Sequence, residues 1–333
     1  MTISHPLLSS VLALHRRIRQ DVVQACEQAA VTALAGVAAD DEGDTIYAID
    51  RVAEHVLVAE LARTVATPDA PIVLVAEGLP GGRTLVPEGA PGTPRWTIIV
   101  DPIDGTRGLM YQKRPAWILT GVAAGPGPVT LADIELAVQT EIPLVKQHLS
   151  DQLWAVRGQG VKAVRFNRLT GEHTDVVLQP SRSATLAHGF ATVSRFFPGH
   201  RAELAAIDDE IAAAVLGPPP PGKAQLFEDQ YISTGGQLYE LMAGHDRFVA
   251  DLRPLFERHR PGGAALCCHP YDLCTELIAR ELGVSVTDEH GRSLAAPLDV
   301  TSDVSWVGFA NEPLRAIVGP HLQHALARRD LLR

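Results

Sequence analysis

The sequence contains few cysteines and no long apolar run, and both absences exclude classes of protein. No run of about 18 or more apolar residues is present, which excludes an ordinary membrane-spanning helix. The first residues lack the basic start and apolar block of a signal peptide. The four cysteines do not form the regular pattern of a disulfide framework. We therefore predict a soluble, cytoplasmic protein without membrane contact.

The chain also lacks an excess of positive charge. Its formal net charge is −10, whereas binding to a nucleic-acid backbone requires clustered Lys and Arg. A nucleic-acid polymer is therefore not expected as a partner. A small anionic substrate stays compatible with this charge, because bound divalent cations can reverse the local sign. With 333 residues, of which 46% are hydrophobic, the chain can bury the core of an enzyme.

The apolar spacing of the first half predicts helices followed by a sheet. Helical spacing from Leu7 to about Ala38 predicts a long amphipathic helix, and a second helix is predicted after Asp50. The following segments have the composition of strands in an antiparallel sheet. The predicted strands are Ile72–Ala76, Thr97–Val100, Trp117–Ala123, Ile134–Gln139, Leu153–Val156 and Val161–Phe166.

The second half has the pattern of a smaller α/β unit. A proline run at residues 218–221 predicts a surface linker. We predict helices at Ala202–Val215, Gln237–Ala243, Leu273–Leu282 and Glu312–Ala327, with strands at Phe190–Val193, Phe248–Ala250, Val284–Thr287 and Val304–Phe309. The expected organisation is an N-terminal region, residues 1–185, and a C-terminal region, residues 186–333.

The segment Asp101–Thr106 is the strongest candidate for a functional site. It places two carboxylates three residues apart after an apolar strand, followed by a glycine that permits close approach of backbone to a ligand. Hard cations such as Mg²⁺ prefer oxygen ligands. Asp101, Asp104 and the Ile103 carbonyl can share a two-cation site, while the Gly105 and Thr106 amides can hold a phosphate group.

Together with Glu77 upstream and Asp272 downstream, this segment resembles the inositol monophosphatase family, whose hallmark is Asp-Pro-x-Asp-Gly-Thr/Ser. The resemblance implies an α+β fold, a layered α/β/α/β/α sandwich of the sugar phosphatase type. It implies two or three Mg²⁺ ions, with Mn²⁺ as a substitute, and it allows a homodimer. The implied metal ligands are Glu77, Asp101, Ile103, Asp104 and Asp272.

The resemblance also implies a reaction, in which a metal-activated water attacks the phosphorus of a small phosphate monoester directly. Inositol and sugar phosphates are the leading substrates. Asp50 and Thr106 occupy the positions that orient and activate the water in the family, and Gly105 and Thr106 those that bind phosphate. Asp251 lies near an acid that contacts a substrate hydroxyl in the family. Most metal ligands thus belong to the N-terminal region, whereas the C-terminal region contributes Asp272 and substrate contacts.

Several departures from the family pattern keep other hypotheses open. Ala76 stands where the family commonly has a second glutamate, and Arg107 follows Thr106 where many members have Asn. Fructose 1,6-bisphosphate and 3′-phosphoadenosine 5′-phosphate are alternative substrates, and Arg107 and Lys113 are candidates for contacting a second anionic group. A catalytically reduced, metal-binding regulatory protein is an alternative of another class. A zinc site is the less favoured interpretation of a sulfur-rich segment formed by Cys267, Cys268, His269 and Cys274, since paired CxxC spacing is absent.

Overall fold

The computed structural model describes residues 3–29, 37–40, 45–47, 49–218, 220–261 and 266–332. Its first helix, α1, spans Leu8–Gln28 and buries Val11, Ile18 and Val22 among other residues of one face. The predicted extension of this helix to about Ala38 is wrong. Val37–Asp40 forms strand β1, which pairs with strand β2, Thr45–Tyr47. Apolar side chains alone do not distinguish a helix from a strand over so short a segment, and here the pairing with β2 favours the strand.

The first large sheet has eight strands in the order β10-β9-β8-β7-β6-β5-β3-β4. Neighbouring strands are antiparallel except β3 and β5, which run parallel. The predicted antiparallel sheet is thus confirmed apart from this pair. Its strands are β3 Ile72–Ala76, β4 Arg83–Val86, β5 Trp96–Asp104, β6 Ala116–Ala124, β7 Ile134–Ile142, β8 Leu149–Val156, β9 Val161–Asn167 and β10 His173–Val176.

The second large sheet has five strands in the order β12-β11-β13-β15-β14. They are β11 Gly189–Val193, β12 Leu226–Phe227, β13 Asp246–Asp251, β14 Ser285–Thr287 and β15 Trp306–Phe309. The further helices are α2 Asp50–Thr64, α3 Thr106–Met110, α4 Arg201–Leu216, α5 Thr234–Ala243, α6 Arg253–His259, α7 Glu276–Glu281 and α8 Glu312–Ala327. The helix predicted at Leu273–Leu282 differs in detail, because a 3₁₀ turn at Pro270–Leu273 precedes α7.

Helices and sheets alternate in five layers, as predicted for this α+β fold. Helices α1 and α2 cover one face of the first sheet, α5 and α7 lie between the two sheets, and α4 and α8 cover the far side of the second sheet. Strand β5 is apolar on both faces for this reason: Ile98 and Val100 pack under α1 and α2, while Ile99 joins the core between the sheets. Among the described residues, no helix is long and apolar enough to cross a membrane.

Candidate metal and phosphate site

Asp101 and Asp104 lie at the carboxyl end of β5, where a bulge brings both carboxylates together. Residues an odd number apart on a regular strand face opposite sides of the sheet. In β5, however, Asp101 stands opposite Leu119 and Asp104 opposite Trp117, so three steps along β5 match two along β6. The extra residue reverses the alternation. Both aspartates therefore lie on the same side, and each is only 6% exposed.

Asp104 is held by the first turn of α5. The Ser233 hydroxyl and the Gly235 amide donate to Asp104 Oδ2 at 2.7 and 2.6 Å, and the Thr234 amide donates to Oδ1 at 3.3 Å. Residue 235 must be glycine for this contact, because a Cβ there would lie 2.9 Å from Asp104 Oδ2 and 2.6 Å from Leu119 Cδ2. This support comes from residues 129 or more positions away in the chain.

Asp272 completes a cluster of three carboxylates from the 3₁₀ turn that precedes α7. The His269 amide donates to Asp272 Oδ2 at 2.6 Å and fixes its orientation. Carboxylate oxygens of Asp101, Asp104 and Asp272 all lie within 4.8 Å of one another. The Ile103 amide donates to Asp101 Oδ1 at 2.9 Å, which stabilises the bulged end of the strand.

Glu77 follows β3, the parallel neighbour of β5. Ala76 stands opposite Val100 in the register, so Glu77 and Asp101 lie next to each other near the carboxyl ends of these two parallel strands. Glu77 lines the cleft that also contains the three aspartates, although the described cluster within 4.8 Å consists of the aspartates alone. The structure therefore gathers all four predicted acidic ligands around one cleft.

The electrostatics of this cleft favour a bound cation. Burial, reinforced by the carboxylates of Asp104, Asp272 and Glu77, raises the pKa of Asp101 well above its usual range. Burial and the neighbouring Asp104 act likewise on the pKa of Asp272. Burial raises the pKa of Asp104 to about 6, against the opposing effect of its hydrogen bonds. The side chains gathered here all offer hard oxygen donors, which fit Mg²⁺ or Mn²⁺ and are not the sulfur and imidazole set typical of structural zinc.

Gly105 and Thr106 form the turn between β5 and α3. Gly105 has φ 94°, a left-handed conformation that favours glycine, and it lines the cleft. The Thr106 hydroxyl lies 2.9 Å from Asp50 Oδ1 and 2.8 Å from the Ile103 carbonyl oxygen, both acceptors. The structure thus brings the predicted pair Asp50 and Thr106 into hydrogen-bond distance across 56 positions of sequence.

Asp251, expected near the substrate, has no exposed surface and bonds Arg253. The Arg253 guanidinium lines the cleft, together with Arg107, Phe196 and Phe197. Sequence reasoning did not identify Arg253 or the two phenylalanines. The sequence signal was available for Arg253, which follows the acid at the end of β13 by two residues.

The sulfur-rich segment does not gather into a metal site within the described part of the chain. Cys268 and Cys274 are buried, and Cys267 lines the cleft. Burial raises the pKa of Cys267 to about 12 and that of Cys268 well above its usual range. Among the described residues, the side chains placed closely enough to share a metal ion are those of Asp101, Asp104 and Asp272.

The inositol monophosphatase family pattern matches residues 6–198. The fold is similar to holo fructose-1,6-bisphosphatase from Leishmania major, at 13% identity and a TM-score of 0.67, covering 97% of this chain and 93% of that one. It is also similar to the extragenic suppressor protein suhB from Bartonella henselae, at 17% identity and a TM-score of 0.65, covering 96% and 99%. The Thermotoga maritima IMPase aligns at 17% identity and a TM-score of 0.60, covering 97% and 99%. No curated protein is significantly similar in sequence.

Proposed function

This chain belongs to the inositol monophosphatase family, and we propose that it is a magnesium-dependent phosphatase hydrolysing a small phosphate monoester such as an inositol or sugar phosphate. The observation that carries the proposal is the cluster formed by the buried Asp101 and Asp104 and the half-buried Asp272, whose oxygens lie within 4.8 Å of one another. Carboxylates at this spacing repel one another when ionised, and a cation between them removes that repulsion. Family membership and an oxygen-only ligand set make Mg²⁺ the proposed ion, with Mn²⁺ as a substitute.

The proposed metal ligands are Glu77, Asp101, the Ile103 carbonyl, Asp104 and Asp272. Mg²⁺ bound there supplies positive charge that makes water a better nucleophile and stabilises the charge developing on the phosphate group and the leaving oxygen. The chain contributes rigidity to this arrangement. Three donors from residues 233–235 hold Asp104, and the His269 amide holds Asp272.

Asp50 and Thr106 are the proposed catalytic pair. The Thr106 hydroxyl can accept a hydrogen bond from an attacking water while donating its own proton to Asp50, whose Oδ1 lies 2.9 Å away. This arrangement orients the water lone pair and provides a carboxylate toward which a proton can be relayed. We assign the Gly105 and Thr106 amides to the phosphate oxygens, because both residues line the cleft beside the aspartates.

The proposal is tested by phosphate release from inositol 1-phosphate, sugar monophosphates, fructose 1,6-bisphosphate and phosphoadenosine phosphate, with Mg²⁺ or with a chelator. Mg²⁺-dependent release that is lost in Asp101→Asn is the expected result. Asp175→Asn is the matched control, because Asp175 is an exposed acid on strand β10 at the edge of the first sheet. Phosphate release that persists in Asp101→Asn, or that is unchanged by the chelator, would exclude this site as the catalytic centre.

A second readout does not depend on activity. Mg²⁺ that binds only the folded protein raises its melting temperature with concentration. We expect this shift in the wild type and in Asp175→Asn but not in Asp101→Asn. A metal-dependent shift without phosphate release from any substrate would favour the regulatory alternative over the enzyme.

A further inference from the structure

A groove beside α1 is not explained by the proposed catalytic site. It lies between the second half of α1 and the chain around β9 and β10, and its volume of about 640 Å³ is typical of sites for small molecules. Among the described residues, it shares no lining residue with the cleft. This groove, the α1–β9 groove, is lined among others by Arg16, Arg19, Glu27, Phe166, Arg168 and His173.

Arg19 is a buried cation that has no carboxylate partner in the described part of the chain. It is 6% exposed, and its guanidinium lies 4.5 Å from the centre of the Phe166 ring. Its Nη1 donates to the Ser150 hydroxyl at 3.0 Å, and that hydroxyl donates in turn to the Glu141 carbonyl at 2.8 Å. A guanidinium has five N–H donors, so a neutral group satisfies one of them here. Buried charges are ordinarily paired, which leaves Arg19 in need of an anion.

The groove carries more positive than negative charge. Arg168 is paired with Glu27, whereas Arg16 is exposed and forms no ion pair with a described carboxylate. Burial, reinforced by the charges of Arg16 and Arg168, lowers the pKa of Arg19 to about 10, so Arg19 is still a cation at neutral pH. The Glu141 carboxyl opposes this effect, but burial raises its own pKa to about 7 and it is only partly ionised. The charges of Arg16 and Arg19 thus remain largely uncompensated.

This surplus charge fits a phosphate group better than a carboxylate. A phosphate monoester carries about 1.5 to 2 negative charges at neutral pH and three acceptor oxygens, whereas a carboxylate carries one charge. Two guanidinium groups match the charge of the phosphate and form charge-assisted hydrogen bonds with its oxygens. Gln20 and Gln24, exposed on the same side of α1, line the groove and add neutral amides that suit the hydroxyl groups of a small molecule.

We propose that the α1–β9 groove is a binding site for a small phosphorylated molecule, separate from the proposed catalytic cleft. Arg16 and Arg19 bind the phosphate group, and the amides of Gln20 and Gln24 contact the rest of the molecule. Arg19 is the preorganised anchor, because Ser150 and the Phe166 ring already hold its guanidinium. The site needs no divalent cation and does not depend on the proposed phosphatase function.

Calorimetry in the presence of a chelator tests the groove alone, because without cations the carboxylates of the cleft repel anions. The probes are inorganic phosphate, pyrophosphate and glucose 6-phosphate at constant ionic strength, with glucose and citrate for comparison. We expect glucose 6-phosphate to bind more tightly than inorganic phosphate, and glucose not to bind. Equal affinities of these two phosphate compounds support a site that recognises the phosphate group alone. Failure of all three phosphate probes to bind at millimolar concentration, or tighter binding of citrate than of each, overturns the proposal.

Arg16→Gln measures the contribution of the exposed cation. We expect the affinity for glucose 6-phosphate to fall about tenfold or more, the range for a lost hydrogen bond between charged groups. Arg17→Gln is the matched control, because Arg17 is the next cation on α1, bonds Asp21 and does not line the groove. Unchanged affinity in Arg16→Gln overturns the proposal. Equal losses in the two variants would show attraction to the charge of the helix as a whole, and would overturn it too.

Arg19→Met removes the buried charge and keeps much of the side-chain volume. Replacement of an unpaired buried charge by an apolar side chain should leave the protein folded, with a melting temperature in chelator no lower than that of the wild type. The rise in melting temperature that phosphate produces in the wild type should be lost. A phosphate-dependent rise of wild-type size in Arg19→Met overturns the proposal.

Asp101→Asn distinguishes the groove from the cleft. Asp101 lines the cleft and not the groove, so phosphate binding in chelator should be unchanged in this variant. Binding that is lost in Asp101→Asn and retained in Arg19→Met would place the anion in the cleft and overturn the proposal. None of these measurements uses phosphate release, so failure of the proposed phosphatase function would leave them unaffected.

Discussion

The close contact between Gly235 and Asp104 makes Gly235→Ala a sensitive test of the proposed metal site. A Cβ at residue 235 would lie 2.9 Å from Asp104 Oδ2 and 2.6 Å from Leu119 Cδ2. Relief of both contacts needs a movement of roughly half an ångström or more, whereas metal–ligand distances tolerate only about 0.2 Å. Because the Gly235 amide also donates to the same oxygen at 2.6 Å, the movement displaces or rotates the carboxylate itself.

We expect the Mg²⁺ affinity of Gly235→Ala to fall about 10- to 100-fold, as for other changes to the groups that orient a metal ligand. Overpacking should also lower the free energy of unfolding by about 1–3 kcal/mol. Mg²⁺ affinity is measured by calorimetry, and stability by urea unfolding in chelator. Gly127→Ala is the control: it lies in a loop, and a Cβ there meets nothing within 4 Å. Wild-type Mg²⁺ affinity in Gly235→Ala would refute the argument that this contact sets the position of a metal ligand.

Three further predictions concern separate parts of the molecule. Burial lowers the pKa of His15 to about 3, so as pH falls the unfolded chain binds a proton at this residue before the folded chain does. The free energy of unfolding should therefore decrease by about 2 kcal/mol between about pH 7.5 and about pH 5. Urea unfolding at a series of pH values should show this decrease in the wild type and not in His15→Gln. Thr106→Val should lower kcat about 10²- to 10⁴-fold, the range for a lost proton-transfer contact, with a nearly unchanged Mg²⁺-dependent thermal shift; a small effect on kcat would exclude Thr106 from proton relay. In Gly121→Ala a Cβ would lie 2.8 Å from the Cys274 carbonyl oxygen, and we expect a loss of about 1–3 kcal/mol in urea unfolding, which an unchanged midpoint would contradict.

The elements with strong local patterns were predictable from the sequence. Strand Ile72–Ala76 and helix Glu312–Ala327 have the predicted bounds. Both are determined by local sequence: the strand by a continuous apolar run, and the start of the helix by its N-cap residue Asn311. Asp101 and Asp104 could be paired from the hexapeptide and the family resemblance. Their arrangement on one side of the sheet depends on the bulge between Asp101 and Asp104, which periodicity alone does not reveal.

Features that depend on distant parts of the chain were not predictable. The hydrogen bonds from Ser233 and Gly235 to Asp104 join segments without a shared pattern, and nothing local marks Gly235 as a position where a side chain would collide. Strand β4 was missed because its apolar residues lie in a stretch rich in Gly and Pro. The pairing of Asp251 with Arg253 is a local exception: the spacing of acid and base is visible in the sequence, but the resemblance assigned Asp251 to the substrate instead.

The bonds between Asp104 and the start of α5 have a consequence for the opening motions of the folded protein. They connect the first sheet to the helix layer between the sheets, across 129 positions of sequence. A motion that separates these layers pulls the carboxylates of the cluster apart, so a cation bound between them would oppose that motion. Fraying of the edge strand β10 leaves the cluster intact. In amide hydrogen exchange, Mg²⁺ should therefore slow the exchange of the Gly235 amide and leave that of His173, on β10, unchanged. A bound cation would thereby resist separation of the first sheet from the helix layer between the sheets.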